Sequence, residues 1–106
     1  MQTCLSPNGA QLTEGTAPLK RLLVATIRGI YTLERGAADA PWKVVGAALE
    51  RFQVSSLLHE PRSGRLFAGT HGADGLWSSD DGGVTWVERS KGVPSRHIYT
   101  IACQYR

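Results

Sequence analysis

A repeat of 44 residues constrains the fold of this chain more than any other feature of its sequence. The segment 21–26 reads Arg-Leu-Leu-Val-Ala-Thr, and the segment 65–70 reads Arg-Leu-Phe-Ala-Gly-Thr. Trp42 and Trp86 are separated by the same 44 residues. Agreement at these positions indicates two copies of one structural unit.

The spacing of the repeat changes only where turns are expected. Val54 and Ile98 keep the 44-residue spacing, whereas Gly29 and Gly75 lie 46 residues apart. The second copy therefore gains two residues around 71–74 and loses two in the next turn. Turns tolerate insertions and paired strands do not, so this pattern supports a structural repeat.

Each copy consists of short segments rich in Val, Ile, Leu, Thr and aromatic residues, bounded by Gly, Pro, Ser or Asp. Such segments are typical of β-strands, and helical periodicity is essentially absent. The predicted strands are 22–26, 29–34, 42–45, 54–59, 66–70, 75–79, 85–88 and 98–103. Four short strands in about 44 residues are typical of one blade of a β-propeller, so we predict an all-β chain.

One turn of the second copy carries the most specific motif in the sequence. Ser79, Asp81, Gly83, Thr85 and Trp86 follow one another at alternate positions, with Trp86 directly after Thr85. A hydroxyl and a carboxylate at this spacing can accept hydrogen bonds from backbone N–H groups of the same turn. Glycine allows a backbone conformation that other residues resist, and the indole can pack against the sheet. We therefore predict a structural role for all five residues.

This motif resembles the Asp-box, or bacterial neuraminidase repeat, in which Ser/Thr-x-Asp-x-Gly-x-Thr-Trp recurs. Every fixed position of the box is present in 79–86. The family consists of β-propellers, among them sialidases and sortilin-like receptors, and its box lies on the outer edge of a blade, between strands three and four. The resemblance implies a propeller of Asp-box type and leaves Ser79, Asp81, Gly83, Thr85 and Trp86 as structural residues.

The resemblance covers about residues 21–106 and divides the chain into three parts. Residues 1–20 are predicted to be a loose N-terminal extension. Residues 21–64 form the first blade repeat, in which the box is degenerate and only Trp42 is retained. Residues 65–106 form the second blade repeat, with the intact box and the first strand of a following blade, 98–103.

About two four-stranded blades make an incomplete propeller, because propellers close with roughly four to eight blades. Three outcomes are consistent with the sequence. The chain is a fragment of a longer protein; or it self-associates, with three two-blade chains closing a six-bladed ring; or it folds alone as a small β-sandwich-like unit. In the ring, the extra strand 98–103 of each chain would complete the first blade of the next.

Composition excludes several classes of function. The net charge is +3 and scattered along the chain, which does not indicate nucleic-acid binding. No apolar run is long enough to cross a membrane, and no secretory signal is visible, which makes the cytoplasm the default location. The histidines, His59, His71 and His97, lack zinc-ligand spacing, so neither a metal nor another cofactor is predicted.

No recognisable catalytic motif is present, so we assign no catalytic residues. The sequence favours a non-catalytic repeat module that acts as a scaffold or binds a glycan or a protein. The alternative is a fragment of a sialidase-like glycoside hydrolase, of the exo-α-sialidase type, whose active site needs further blades. Arg51, Arg96 and His97 lie in loops that lead into innermost strands, where they would meet an anionic ligand or glycan.

Overall fold

The computed structural model describes residues 2–6, 9–13 and 19–104, and within these residues the protein is all-β. The described part contains no helix, and hence none that could cross a membrane. Its strands form antiparallel sheets, as short β-branched and aromatic segments between turns predict. The strands are β1 (Gln2–Ser6), β2 (Gly9–Thr13), β3 (Arg21–Thr26), β4 (Gly29–Glu34), β5 (Lys43–Ala48), β6 (Val54–His59), β7 (Leu66–Thr70), β8 (Leu76–Ser79) and β9 (Val87–Glu88).

Two of the sheets correspond to the two copies of the repeat. The first sheet has the order β3-β4-β5, and the second sheet has the order β6-β7-β8-β9. Each sheet is a meander in which consecutive strands pair antiparallel. Strand β6 falls within the predicted repeat 21–64 but pairs with β7, so the second sheet includes the last strand of the first predicted repeat.

The extension predicted to be loose contains the two strands of a third, separate sheet. Strands β1 and β2 pair antiparallel, with Gln2 opposite Thr13 and Ser6 opposite Gly9. Apolar and polar residues alternate over parts of these segments, a pattern that favours pairing but is too short to predict alone. The rest of residues 1–18, and residues 105–106, lie outside the described part.

One predicted strand is absent from the described residues. Segment 98–103 forms no strand, although the amide of Ile98 donates a hydrogen bond to the carbonyl of Thr70 at 2.7 Å. A strand requires a neighbour along its length, and none of the described strands lies beside 99–103. The prediction of a strand there was wrong for the chain taken by itself.

Four further strands have bounds that differ from prediction: β3 begins one residue earlier, β8 begins one residue later, and two others differ more. The predicted strand 85–88 is reduced to Val87–Glu88, because Thr85 and Trp86 make hydrogen bonds within the preceding turn. The predicted strand 42–45 begins one residue later and continues to Ala48. A register irregularity between Thr32 and Leu33 lets β5 stay paired with β4 over this longer span.

The core lies between the first and second sheets. Ile30, Val54 and Ala68 are buried at its centre, and Ala68 has no exposed surface. Six partly buried apolar residues pack around them: Leu23, Ala25, Leu49, Leu57, Trp77 and Trp86. Because residues of both sheets contribute, burial of this shared core holds the two repeats together.

Candidate functional site

The loops of the first and second sheets gather at two ends. Antiparallel order puts the loops 27–28, 49–53, 71–75 and 89–97 at one end, called here the connector end. The turns 35–42, 60–65 and 80–86 lie at the opposite end, called here the turn end. The five motif residues are therefore at the turn end, and Arg51, Arg96 and His97 are at the connector end.

Equivalent hydrogen bonds organise the connector end in both repeats. The amide of Gly29 donates to the carbonyl of Phe52 at 2.8 Å, and the amide of Gly75 donates to the carbonyl of Arg96 at 3.1 Å. Both glycines have positive φ, +94° and +89°, which favours glycine. The segment after β5 is thus tied to the turn between β3 and β4 in the same way as the segment after β9 is tied to the loop between β7 and β8.

At the turn end, Asp81 is the centre of the motif loop. Its Oδ1 accepts hydrogen bonds from the amides of Val84 at 3.1 Å and Thr85 at 2.9 Å, and from the Ser79 hydroxyl at 2.8 Å. Its Oδ2 accepts a hydrogen bond from the Thr85 hydroxyl. The Ser79 hydroxyl in turn accepts a bond from the amide of Gly83 at 2.9 Å. The loop therefore pairs its own backbone donors, as such short side chains do in turns.

These hydrogen bonds lower the pKa of Asp81 to about 2. The largest cause is the hydrogen bond from the Thr85 hydroxyl, followed by the Thr85 amide and the Ser79 hydroxyl. Each of these donors favours the charged carboxylate over the neutral acid. At neutral pH Asp81 is therefore a carboxylate, and although it is exposed, its oxygens accept hydrogen bonds within the loop.

We expect this lowered pKa to make the stability of the fold depend on acid. Ionised Asp81 contributes stability that is fully present above its unfolded pKa of 3.8 and is lost as the pH falls through about 2. Chemical denaturation between pH 5 and pH 2 should therefore show a fall in stability that Asp81→Asn flattens. Asp80→Asn is the matched control, and an identical flattening there would contradict the assignment to Asp81.

We also expect Asp81→Ala to lower the melting temperature by several degrees, because two backbone amides and two hydroxyls lose their acceptor at once. Asp80→Ala should have a smaller effect, since Asp80 makes a surface ion pair with Arg65 at 2.6 Å. Thermal unfolding followed by circular dichroism compares the two. Equal melting temperatures for both variants would show that the Asp81 loop does not stabilise the fold.

The motif loop also joins the second sheet to the first. The Arg21 guanidinium, on β3, donates to the carbonyl of Gly82 at 2.9 Å. A Cβ on buried Gly83 would lie 2.9 Å from Leu23 Cδ2, so the loop backbone packs directly against β3. The indole N–H of Trp86 donates to the carbonyl of Gly83 at 3.0 Å, which places the ring beside the shared core.

The first repeat uses different contacts at the corresponding turn. The Arg35 guanidinium lies 4.2 Å from the ring centroid of Trp42, in cation–π contact. The Arg35 Nε donates to the carbonyl of Leu19 at 2.8 Å, and its amide donates to the carbonyl of Lys20 at 3.0 Å. The amide of Ala40 also donates to the carbonyl of Ala37 at 3.1 Å, so Arg35 and a backbone hydrogen bond hold the turn that lost the Ser, Asp and Thr positions.

At the connector end, the residues predicted to face a ligand have different surroundings. The Arg51 guanidinium lies 5.8 Å from the ring centroid of Phe52. Arg96 forms an ion pair with Glu88, and the Nδ1–H of His97 donates to the carbonyl of His71 at 2.6 Å. The structure brings the three residues to one end of the sheets, and it engages Arg96 and His97 in contacts within the chain.

Two aromatic residues at this end were not predicted as site residues. The rings of Phe52 and Trp77 lie 5.3 Å apart, and the Trp77 indole N–H donates to the carbonyl of Asp74 at 2.9 Å. Both rings are half-buried. The position of Phe52 directly after Arg51 was the available signal, but only the fold shows that Phe52 meets Trp77, 25 residues away in sequence.

A second aromatic group lies nearby on the same end. The rings of His71 and Tyr99 lie 4.9 Å apart, and those of His71 and His97 lie 6.2 Å apart, both edge to face. Tyr99 is 63% exposed. Among the described residues, no group of three or more His, Cys, Asp or Glu side chains has the arrangement to hold a metal ion.

Comparison of the chain with family models, with curated proteins and with solved structures gives no match.

Proposed function

We propose that the chain is a non-catalytic module of the Asp-box β-propeller type, whose connector end binds a glycan that carries an acidic group. Three observations support the blade interpretation. Each repeat forms an antiparallel meander, the motif loop joins β8 to β9 at the turn end, and the two repeats share equivalent connector-end bonds. In propellers, loops at one end of the axis form the binding face.

We infer the class of ligand from the group formed by Arg51, Phe52 and Trp77. Aromatic faces offer apolar surface to the C–H groups of a sugar ring, and a neighbouring guanidinium attracts a carboxylate or sulfate. The Arg51 guanidinium lies near Phe52, and Phe52 contacts Trp77. An acidic glycan can contact both the guanidinium and the aromatic rings, whereas a neutral glycan can contact the aromatic rings alone.

The test is a titration of the purified chain with 3′-sialyllactose and with lactose, followed by tryptophan fluorescence and by NMR. We expect 3′-sialyllactose to bind more tightly than lactose, and Arg51→Ala to weaken its binding about tenfold, the effect of losing one charged contact. Arg62→Ala, in a turn at the opposite end, is the matched control. Equal weakening by both variants, or no binding of either sugar, would overturn the proposal.

Turnover separates this proposal from the sialidase-like alternative. A binding module should release no product from a fluorogenic sialoside, even at concentrations that saturate binding. Product release that survives repurification of the chain, and is abolished by Arg51→Ala, would favour a glycoside hydrolase.

A further inference from the structure

We propose that the segment 98–103 of one copy adds to the open edge of β3 in a second copy, so that several chains close a ring. This inference rests on the blade interpretation given under the proposed function, and it names a second copy of the chain as the partner. The contact joins two different surfaces, a segment and a strand edge, and such heterologous contacts close rings when the rotation allows.

The first argument concerns the edge of β3. Strand β7, the counterpart of β3 in the second repeat, is paired on both sides, by β6 and by β8. Among the described strands, β3 is paired only with β4, and β1 and β2 form a sheet of their own. Within the residues that the structure describes, the first sheet has no counterpart of β6, and the unpaired edge of β3 presents backbone groups that can pair with another strand.

The second argument concerns the start of the segment, which occupies the position of a missing first strand. Ile98 follows the Gly75–Arg96 hydrogen bond, as Val54 at the start of β6 follows the Gly29–Phe52 bond. Ile98 is therefore the counterpart of a buried core residue.

Contacts within the chain hold Ile98 in that position. Its amide donates to the carbonyl of Thr70, and its carbonyl accepts a hydrogen bond from the Ser55 hydroxyl. A Cβ on Gly69 would clash with Ile98 Cγ2, so the isoleucine packs directly on the backbone of β7. The segment thus begins against its own second sheet, as β6 begins against the first, and its following residues lie beside no described strand.

The repeat fixes the register of the proposed pairing. Within the second sheet, Leu57 lies opposite Ala68, and His59 lies opposite Leu66. Moving each pair by the 44-residue spacing places Ile101 opposite Val24 of the second copy, and Cys103 opposite Leu22 of the second copy. Val24 is 40% exposed, and Cys103 is exposed.

Propeller geometry limits the number of chains in the ring. Each chain supplies a three-stranded sheet, a four-stranded sheet and the segment that completes a neighbour's three-stranded sheet. Two, three and four chains would give four, six and eight blades, all within the range of roughly four to eight in which propellers close, and six blades lie in the middle of that range. We therefore expect a closed assembly of three chains.

The test uses disulfide formation at the predicted register. In the Cys4→Ser background, Leu22→Cys places a thiol opposite the native Cys103 of a neighbouring copy, at a cross-strand distance that a disulfide can bridge. Mild oxidation should yield linked chains of up to three copies on a non-reducing gel. Val45→Cys in the same background is the matched control, because Val45 is 55% exposed on β5, away from the proposed contact. Equal linking in both variants would overturn the proposed register.

Light scattering on the unmodified chain decides the outcome independently of those variants. We expect a folded species of about three times the 11.5 kDa chain mass, which Ile101→Pro converts to a single-chain mass while the β-type dichroism remains. A folded single-chain mass for the unmodified protein would overturn the proposal. If that single chain still bound 3′-sialyllactose through Arg51, the assembly would be refuted and the proposed function retained. If an intact ring of three chains did not bind 3′-sialyllactose, the assembly would be retained and the proposed function refuted.

Discussion

Gly29→Ala is expected to destabilise the fold by about 3 kcal/mol or more, the largest effect we expect of any single methyl group. A residue with a side chain at φ +94° costs about 1–2 kcal/mol, and crowding of a packed site costs about 1–3 kcal/mol more. The new Cβ would lie 2.5 Å from the Ala48 carbonyl oxygen and 2.8 Å from Glu50 Cα. These are backbone atoms, which cannot rotate away as a side chain does.

Gly92→Ala provides the matched control for this substitution. Gly92 has φ +90°, nearly the same as Gly29, but a Cβ at this position would meet no other atom within 4 Å. Gly92→Ala should therefore cost about 1–2 kcal/mol, the conformational part alone. Urea denaturation of both variants measures the difference, and equal destabilisation would show that the close approach of Gly29 to segment 48–50 does not occur.

Trp86→Ala is expected to destabilise the fold by about 3 kcal/mol, at the low end for a large aromatic residue because the indole is only half-buried. The ring packs against the shared core, and its N–H donates to the carbonyl of Gly83. Removing it opens the junction of the motif loop and the core, where Gly83 also contacts Leu23 of the first sheet. Thermal and urea unfolding give the loss directly.

Trp86→Phe and Trp42→Ala separate the contributions to this effect. Trp86→Phe keeps most of the apolar contact and loses the N–H donor, so it should retain more than half of the stability that Trp86→Ala loses. Trp42→Ala should cost less than Trp86→Ala, because Trp42 contacts the Arg35 guanidinium at the turn end and does not belong to the shared core. A larger loss for Trp42→Ala would contradict the different packing of the two repeats.

The repeat made most of the fold predictable from the sequence. Because the two copies repeat one pattern, the prediction of a strand over 66–70 supported the prediction of a strand over 22–26. Turns could be placed where the spacing of the repeat changed. The motif loop was predictable because a hydroxyl and a carboxylate at short spacing act on their own turn. The hydrogen bonds of Asp81 join residues that are close in sequence, and such bonds can be predicted from the sequence.

The features that were not predicted depend on distant contacts. Segment 98–103 has the composition of a strand, but whether it pairs depends on the presence of a neighbour, which no local pattern encodes. The contact between Phe52 and Trp77 joins the loop 49–53 to β8, and the ion pair of Arg96 with Glu88 joins the loop 89–97 to β9. Neither residue spacing nor composition specifies which of these segments meet.

Amide hydrogen exchange followed by NMR tests most directly the central claim, that each 44-residue repeat folds as an antiparallel meander with an equivalent hydrogen bond at the connector end. The amides of Gly29 and Gly75, which make equivalent hydrogen bonds, should both exchange much more slowly than in the unfolded chain. Protection of both amides, together with the paired amides of β4 and β7, is the result we predict. Protection of one glycine with rapid exchange at the other would contradict the equivalence of the two repeats.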